Sequence, residues 1–119
     1  MRVVAIEEHH IVPEMRSRMD LSLLPPAYQA RLNATVGERL ADMDAAGIDV
    51  QVLSVMLPTP RMLPAGAVVP LAAKVNGELH AMVTAHPDRF AAFALLPVTA
   101  PGPRTSWSGP SASWASPAR

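Results

Sequence analysis

The residues Thr35-Val36-Gly37-Glu38-Arg39-Leu40-Ala41-Asp42-Met43-Asp44-Ala45-Ala46-Gly47 run straight into Ile48-Asp49-Val50-Gln51-Val52-Leu53-Ser54-Val55. Thr35 is placed to cap a helix, because its hydroxyl can accept from a helix-start N–H that has no partner within the helix. Glu38, three residues on, completes a capping box. Val36, Leu40 and Met43 recur at helical spacing, and Gly47 suits the left-handed turn that stops a helix. The spacing therefore predicts a helix over residues 35–46. Residues 48–55 are mostly apolar and β-branched, which predicts a strand buried in a sheet.

On the N-terminal side, Val3-Val4-Ala5-Ile6 is another short apolar run, and it ends at Glu7-Glu8-His9-His10. It predicts a first strand over residues 3–6. Residues 11–34 are punctuated by Pro13, Pro25 and Pro26, and read as an excursion with one or two short helical turns. On the C-terminal side, residues 57–70 form a Pro-rich loop. Residues 71–85 read as a second helix, broken by His86-Pro87-Asp88-Arg89, and residues 90–96 as a third apolar strand closed by Pro97. Strand, loop, helix, strand, helix, strand is the alternation of parallel βαβ units. The fold class expected is α/β. A complete (β/α)₈ barrel takes about 250 residues, so these 119 residues read as the N-terminal part of an incomplete one.

Composition narrows the partners. Ten Lys+Arg balance ten Asp+Glu, so there is no basic excess to suggest nucleic acid or an anionic membrane surface. The apolar start is too short for a signal peptide or a membrane span, and a cytoplasmic location is the expectation. There is no cysteine, so any metal must be held by His and carboxylates. Aromatics are 4% of the chain, which leaves the core to Val, Leu, Ile, Ala and Met, as suits a layered α/β protein.

Residues 1–98 and 99–119 read as separate regions. Both tryptophans, Trp107 and Trp114, fall in the second region, and from Ala100 onward there are five serines, four prolines and no acidic residue. Composition alone suggests a disordered tail. Read from the third base of GC-rich codons, Thr105 to Arg119 gives Leu, Val and Leu at helical spacing, then a glycine and an apolar start. The Gly across Trp114-Ala115 is forced, whereas the serine positions depend on codon choice. The expectation is a frameshift near residues 97–103 and a tail without evolved structure.

Glu7 and His9 are the candidates for chemistry. Strand side chains alternate, so Glu7 and His9 share a face and Glu8 points the other way. A carboxylate and an imidazole at a strand end can grip one divalent ion, and barrel enzymes gather their catalytic groups at that end. The plainer alternative is a polar strand end meeting solvent. His10 reads as a loop histidine, and His80 and His86 as helix residues, His86 at the end favoured by the helix dipole. Asp42 and Asp44 read as helix-surface carboxylates, Arg89 as an anchor for the loop before the third strand, and the methionines as packing.

Three blocks carry a resemblance: Ala5-Ile6-Glu7-Glu8-His9; Arg39 to Ser54; and Asn76 followed by His86-Pro87-Asp88-Arg89-Phe90-Ala91-Ala92-Phe93-Ala94-Leu95-Leu96-Pro97. In this order they resemble the amidohydrolase-related metal-dependent decarboxylases, the family of γ-resorcylate decarboxylase and aminocarboxymuconate-semialdehyde decarboxylase. Glu-x-His on the first strand, in place of His-x-His, points to the resorcylate branch. The resemblance implies a (β/α)₈ barrel with one divalent metal, zinc expected and manganese the alternative. Glu7 and His9 would be ligands, and Glu8 is not carried over. The family's later His and catalytic Asp are not found in this chain. The implied partner is a small carboxylic acid, and full-length relatives are expected to be homo-oligomers.

Three functions follow. The first is a carboxy-lyase acting on a hydroxylated aromatic or related unsaturated acid. In it a metal chelates the carboxylate and a neighbouring oxygen, and an Asp protonates the ring carbon. The second is a metal-dependent hydrolase of an ester, lactone or amide, since fold does not fix function. The third is a truncated, non-catalytic product.

Overall fold

Thr35 does cap a helix. In the computed structural model, which describes residues 1–55 and 63–96 (the side chains of Glu7 and Ala65 excepted), the Glu38 N–H donates to the Thr35 hydroxyl. The Glu38 carboxylate accepts in return from the Thr35 N–H at 2.7 Å. The helix runs from Val36 to Ala46 and ends on Gly47, whose φ of 68° is left-handed. β1, Val4–His10, comes first, followed by α1, Pro13–Arg16, and α2, Pro26–Leu32. The capped helix is α3. It leads into β2, Val50–Val55, then a 3₁₀ turn at Ala65–Ala67, α4, Val68–Ala85, and β3, Phe90–Ala92.

The three strands form one sheet in the order β1-β2-β3, and both pairings are parallel. This is the arrangement the alternation of strands and helices predicts. Gln51, Leu53 and Val55 alternate with Val50, Val52 and Ser54 along β2, and the first set faces the helices. Leu53, fully buried, packs there with Phe90, Met43, Val75 and Leu79. Each such side chain contributes roughly 1.5–3 kcal/mol by leaving water. The other face of the sheet is open, with Val4 50% and Phe93 56% exposed.

Element boundaries depart from expectation in four places. β2 starts at Val50 and not at residue 48, because the Ile48 N–H donates back to the Met43 carbonyl at 2.9 Å and closes the end of α3. β1 extends through His10 and does not end at Ile6, because Glu8, His9 and His10 keep pairing, with Leu53, Ser54 and Val55. α4 starts at Val68, ahead of residue 71, since Pro70 lies in the first turn, where its missing N–H costs nothing. β3 stops at Ala92. Phe93 still donates to the Leu53 carbonyl at 2.9 Å, but Leu95 leaves the sheet and pairs with Asn76 of α4. Two short helices occupy the 11–34 excursion, as expected. Residues 57–62 of the Pro-rich loop and the whole tail from Pro97 lie outside the described residues, so the region boundary at 98 and the frameshift do too.

Candidate metal-binding strand end

The end of β1 carries Glu7-Glu8-His9-His10, two carboxylates and two imidazoles in succession. Its register against β2 shifts by one residue. Ala5 stands opposite Gln51, but Glu8 stands opposite Leu53, so β1 carries one extra residue between them. Such a bulge reverses the side-chain phase of a strand. Before it, Ala5 shares the helix-facing side with Gln51. After it, Glu8 and His10 share that side with Leu53 and Val55, while His9 lies with Ser54 on the open face. Without the bulge, strict alternation from Ala5 would carry His9 to the helix side.

His9 is exposed. Glu8 is half-buried on the helix side, close enough to Arg39 to favour that residue's charged form. The expected opposition of His9 and Glu8 agrees with this register. The Glu7 side chain lies outside the described set. Among the described residues no three His, Asp or Glu side chains gather into a ready-made metal cage.

His10 is not a loop histidine. It is the last residue of β1, and its Nδ1 is buried with no hydrogen-bond partner among the described residues. Burial and then the nearby Arg39 charge lower its pKa from 6.5 to about 4, so at neutral pH it is an uncharged imidazole. His86 caps the end of α4 and meets the Phe90 ring edge-on, centroids 6.0 Å apart at 84°. Arg89 anchors the loop before β3 as expected. It donates to the carbonyls of Asp49 and Ile48 and to the Asp44 carboxylate at 2.7 Å.

Behind the strand end, between β1, α2 and α3, lies a cavity of about 270 Å³ bordered by Glu8, His9, Tyr28, Arg31, Arg39 and Gln51. Arg39 is 5% exposed and Gln51 6%. Both were missed as internal groups in the sequence. The signal was present: Arg39 falls on the stripe of Val36 and Met43, and Gln51 interrupts an apolar strand. Arg39 donates to the His9 carbonyl at 2.7 Å and the Arg31 carbonyl at 3.1 Å, and lies 3.5 Å from the Gln51 side-chain oxygen.

Comparison with known proteins places this arrangement. The γ-resorcylate decarboxylase of Rhizobium radiobacter is 35% identical over 107 residues, covering 86% of this chain and 32% of the relative. Over these residues the chain is homologous to the amidohydrolase-type decarboxylases. It spans about a third of the length of the curated decarboxylases it matches. Two solved decarboxylases share its backbone. A 2,6-dihydroxybenzoate decarboxylase complexed with 2,6-dihydroxybenzoate has a TM-score of 0.67 at 32% identity, covering 83% of this chain and 32% of that one. The dihydroxybenzoic acid decarboxylase of Polaromonas sp. JS666, with bound manganese and the inhibitor 2-nitroresorcinol, has a TM-score of 0.68 at 30% identity, covering 82% and 31%. No family model matches the chain. Among the described residues no helix is long and apolar enough to cross a membrane.

Proposed function

We propose that this chain supplies the first three strands of a metal-dependent carboxy-lyase barrel acting on hydroxylated aromatic acids, with Glu7 and His9 as the ligands contributed by β1. The observation that carries the proposal is the 35% identity to γ-resorcylate decarboxylase across 86% of the chain. A solved relative of the same backbone holds 2,6-dihydroxybenzoate, and another holds manganese. The donor types fit a divalent ion, since an imidazole nitrogen and a carboxylate oxygen suit zinc or manganese. The exposed position of His9 on the open sheet face, the interior side of a closed barrel, supports the same reading.

The ion, when bound, supplies Lewis-acid polarisation of the substrate's oxygens. His9 and Glu7 hold and orient it. Glu8 stays with Arg39 on the helix side and takes no part. Two donors hold a divalent ion weakly, because stable sites use three or four protein ligands. The 119 residues alone are therefore expected to bind metal weakly and to turn over no substrate.

The test compares this chain with one extended by the continuation in the shifted reading frame. Both are supplied with zinc or manganese and assayed for CO₂ release from hydroxybenzoates. Activity is expected only in the extended chain, and H9A and E7Q should each abolish it there. Turnover by the 119-residue chain alone contradicts the proposal. A folded, metal-loaded extended chain that ignores these acids but hydrolyses esters, lactones or amides moves the assignment to a hydrolase.

A further inference from the structure

We propose that Arg39 is a positioning residue for the end of β1: its guanidinium holds the His9 backbone carbonyl and so sets the direction in which the His9 side chain leaves the strand. The His9-directing part rests on the ligand reading above, whereas the clamp itself rests on geometry alone. Arg39 sits on α3, yet one of its terminal nitrogens bridges two other segments, reaching the His9 carbonyl of β1 at 2.7 Å and the Arg31 carbonyl of α2 at 3.1 Å. The second terminal nitrogen lies 3.5 Å from Gln51 of β2. Next to this bridge the Ile11 N–H donates to the Leu32 carbonyl at 3.4 Å. The exit of β1 and the end of α2 are thus tied twice, once through backbone and once through Arg39.

The carbonyl held is that of the proposed ligand itself. A planar peptide unit moves as one body, so fixing the His9 carbonyl fixes that residue's ψ and the orientation of its Cα–Cβ bond relative to the sheet. The fork of the guanidinium is needed because acceptors on three segments must be reached from one buried side chain. A lysine ammonium is a single point charge and cannot span them. Glu8 and Asp42 offset the buried charge. The strand end is also where support is needed, since the bulge lies just before Glu8 and interrupts the ladder.

The experiment uses the whole 119-residue chain and the variants R39K, Q51M and H9A. Metal-free amide exchange is read residue by residue, and Mn²⁺ affinity is read by titration. In R39K, exchange at Ile11 should speed about tenfold while Leu79 in α4 is unchanged, and Mn²⁺ affinity should fall about tenfold. Q51M withdraws only the most distant partner and should shift both readouts the same way, by about twofold. Unchanged exchange at Ile11 in R39K overturns the clamp. Where R39K does not fold, unchanged exchange in Q51M does so. Faster exchange with undiminished Mn²⁺ affinity, in a chain whose affinity H9A lowers, overturns the directing role. If H9A leaves affinity intact, the ligand assignment fails instead, and the clamp is judged on exchange alone.

Discussion

The side-chain amide of Asn76 exchanges two hydrogen bonds with the backbone of Leu95. Its nitrogen donates to the Leu95 carbonyl at 2.9 Å and its oxygen accepts from the Leu95 N–H at 2.7 Å. Asn76 is 1% exposed, so α4 offers the departing chain a substitute for the next rung of the sheet. N76L keeps the branched shape but strands both Leu95 groups. It should destabilise the fold by about 2–4 kcal/mol, read as a lower urea midpoint. A loss below about 0.5 kcal/mol, the usual scatter of surface changes, contradicts the role given to Asn76.

Among the described residues, Arg89 makes one ion pair, with Asp44, and two bonds to backbone carbonyls. The Asp44 side chain is 67% exposed, so the pair itself is weakly stabilising. D44A should cost less than about 1 kcal/mol. R89M also removes both carbonyl bonds, of which only the one to Ile48 is part-buried, and should cost about 1–2 kcal/mol. Thermal melts at low and high salt would separate the two, since only the smaller contribution is expected to be screened.

The two ends of α3 give a paired prediction. T35A removes the cap acceptor and should cost about 1 kcal/mol. G47A forces a Cβ into left-handed backbone, and the position has nothing within 4 Å to clash with. Its cost is therefore conformational only, about 1 kcal/mol. The ends lie at opposite extremes of the helix, so the double variant should show additive losses. Strong non-additivity in denaturant titrations would mean that α3 does not act as a rigid unit.

Acid should weaken the fold through carboxylates with depressed pKa values. Hydrogen bonding to Lys74, and then its charge, lower the pKa of Glu14. The Thr35 N–H, and then its hydroxyl, lower that of Glu38. A depressed folded-state pKa means stability that is present above the unfolded value, near 4.5, and is lost as pH falls through the lower folded value. Stability followed below pH 4.5 should therefore fall less steeply in an E14Q/E38Q double variant than in the parent. An unchanged slope would show that neither carboxylate is linked to folding.

Local chemistry decided what could be read from the sequence. α3 and β2 were legible because cap, apolar period and glycine stop all lie within one short stretch. The parallel order followed from alternation. The end of β1 was not legible, because its pairing is decided by Leu53, Ser54 and Val55, far along the chain. The early end of β3 depends on a side chain of α4 in the same way. The bulge left no trace in the sequence, since an extra residue in a strand looks like any other. Arg39 was hidden by its charge: the helical pattern counts apolar residues, and a buried guanidinium that donates to two backbone carbonyls occupies an apolar position unnoticed.

The bulge in β1 divides the strand into two parts that answer differently to changes in length. One residue between Ala5 and Glu8 is surplus to the ladder, and Ile6 in that interval is 67% exposed. Deleting Ile6 leaves Glu8, His9 and His10 opposite the same partners, and the strand merely straightens. A residue inserted between Glu8 and His10, by contrast, has no surplus position to absorb it, and it turns the rest of the strand over to the opposite face. β1 therefore has one point at which its length is free to vary, placed immediately before the point at which it is not.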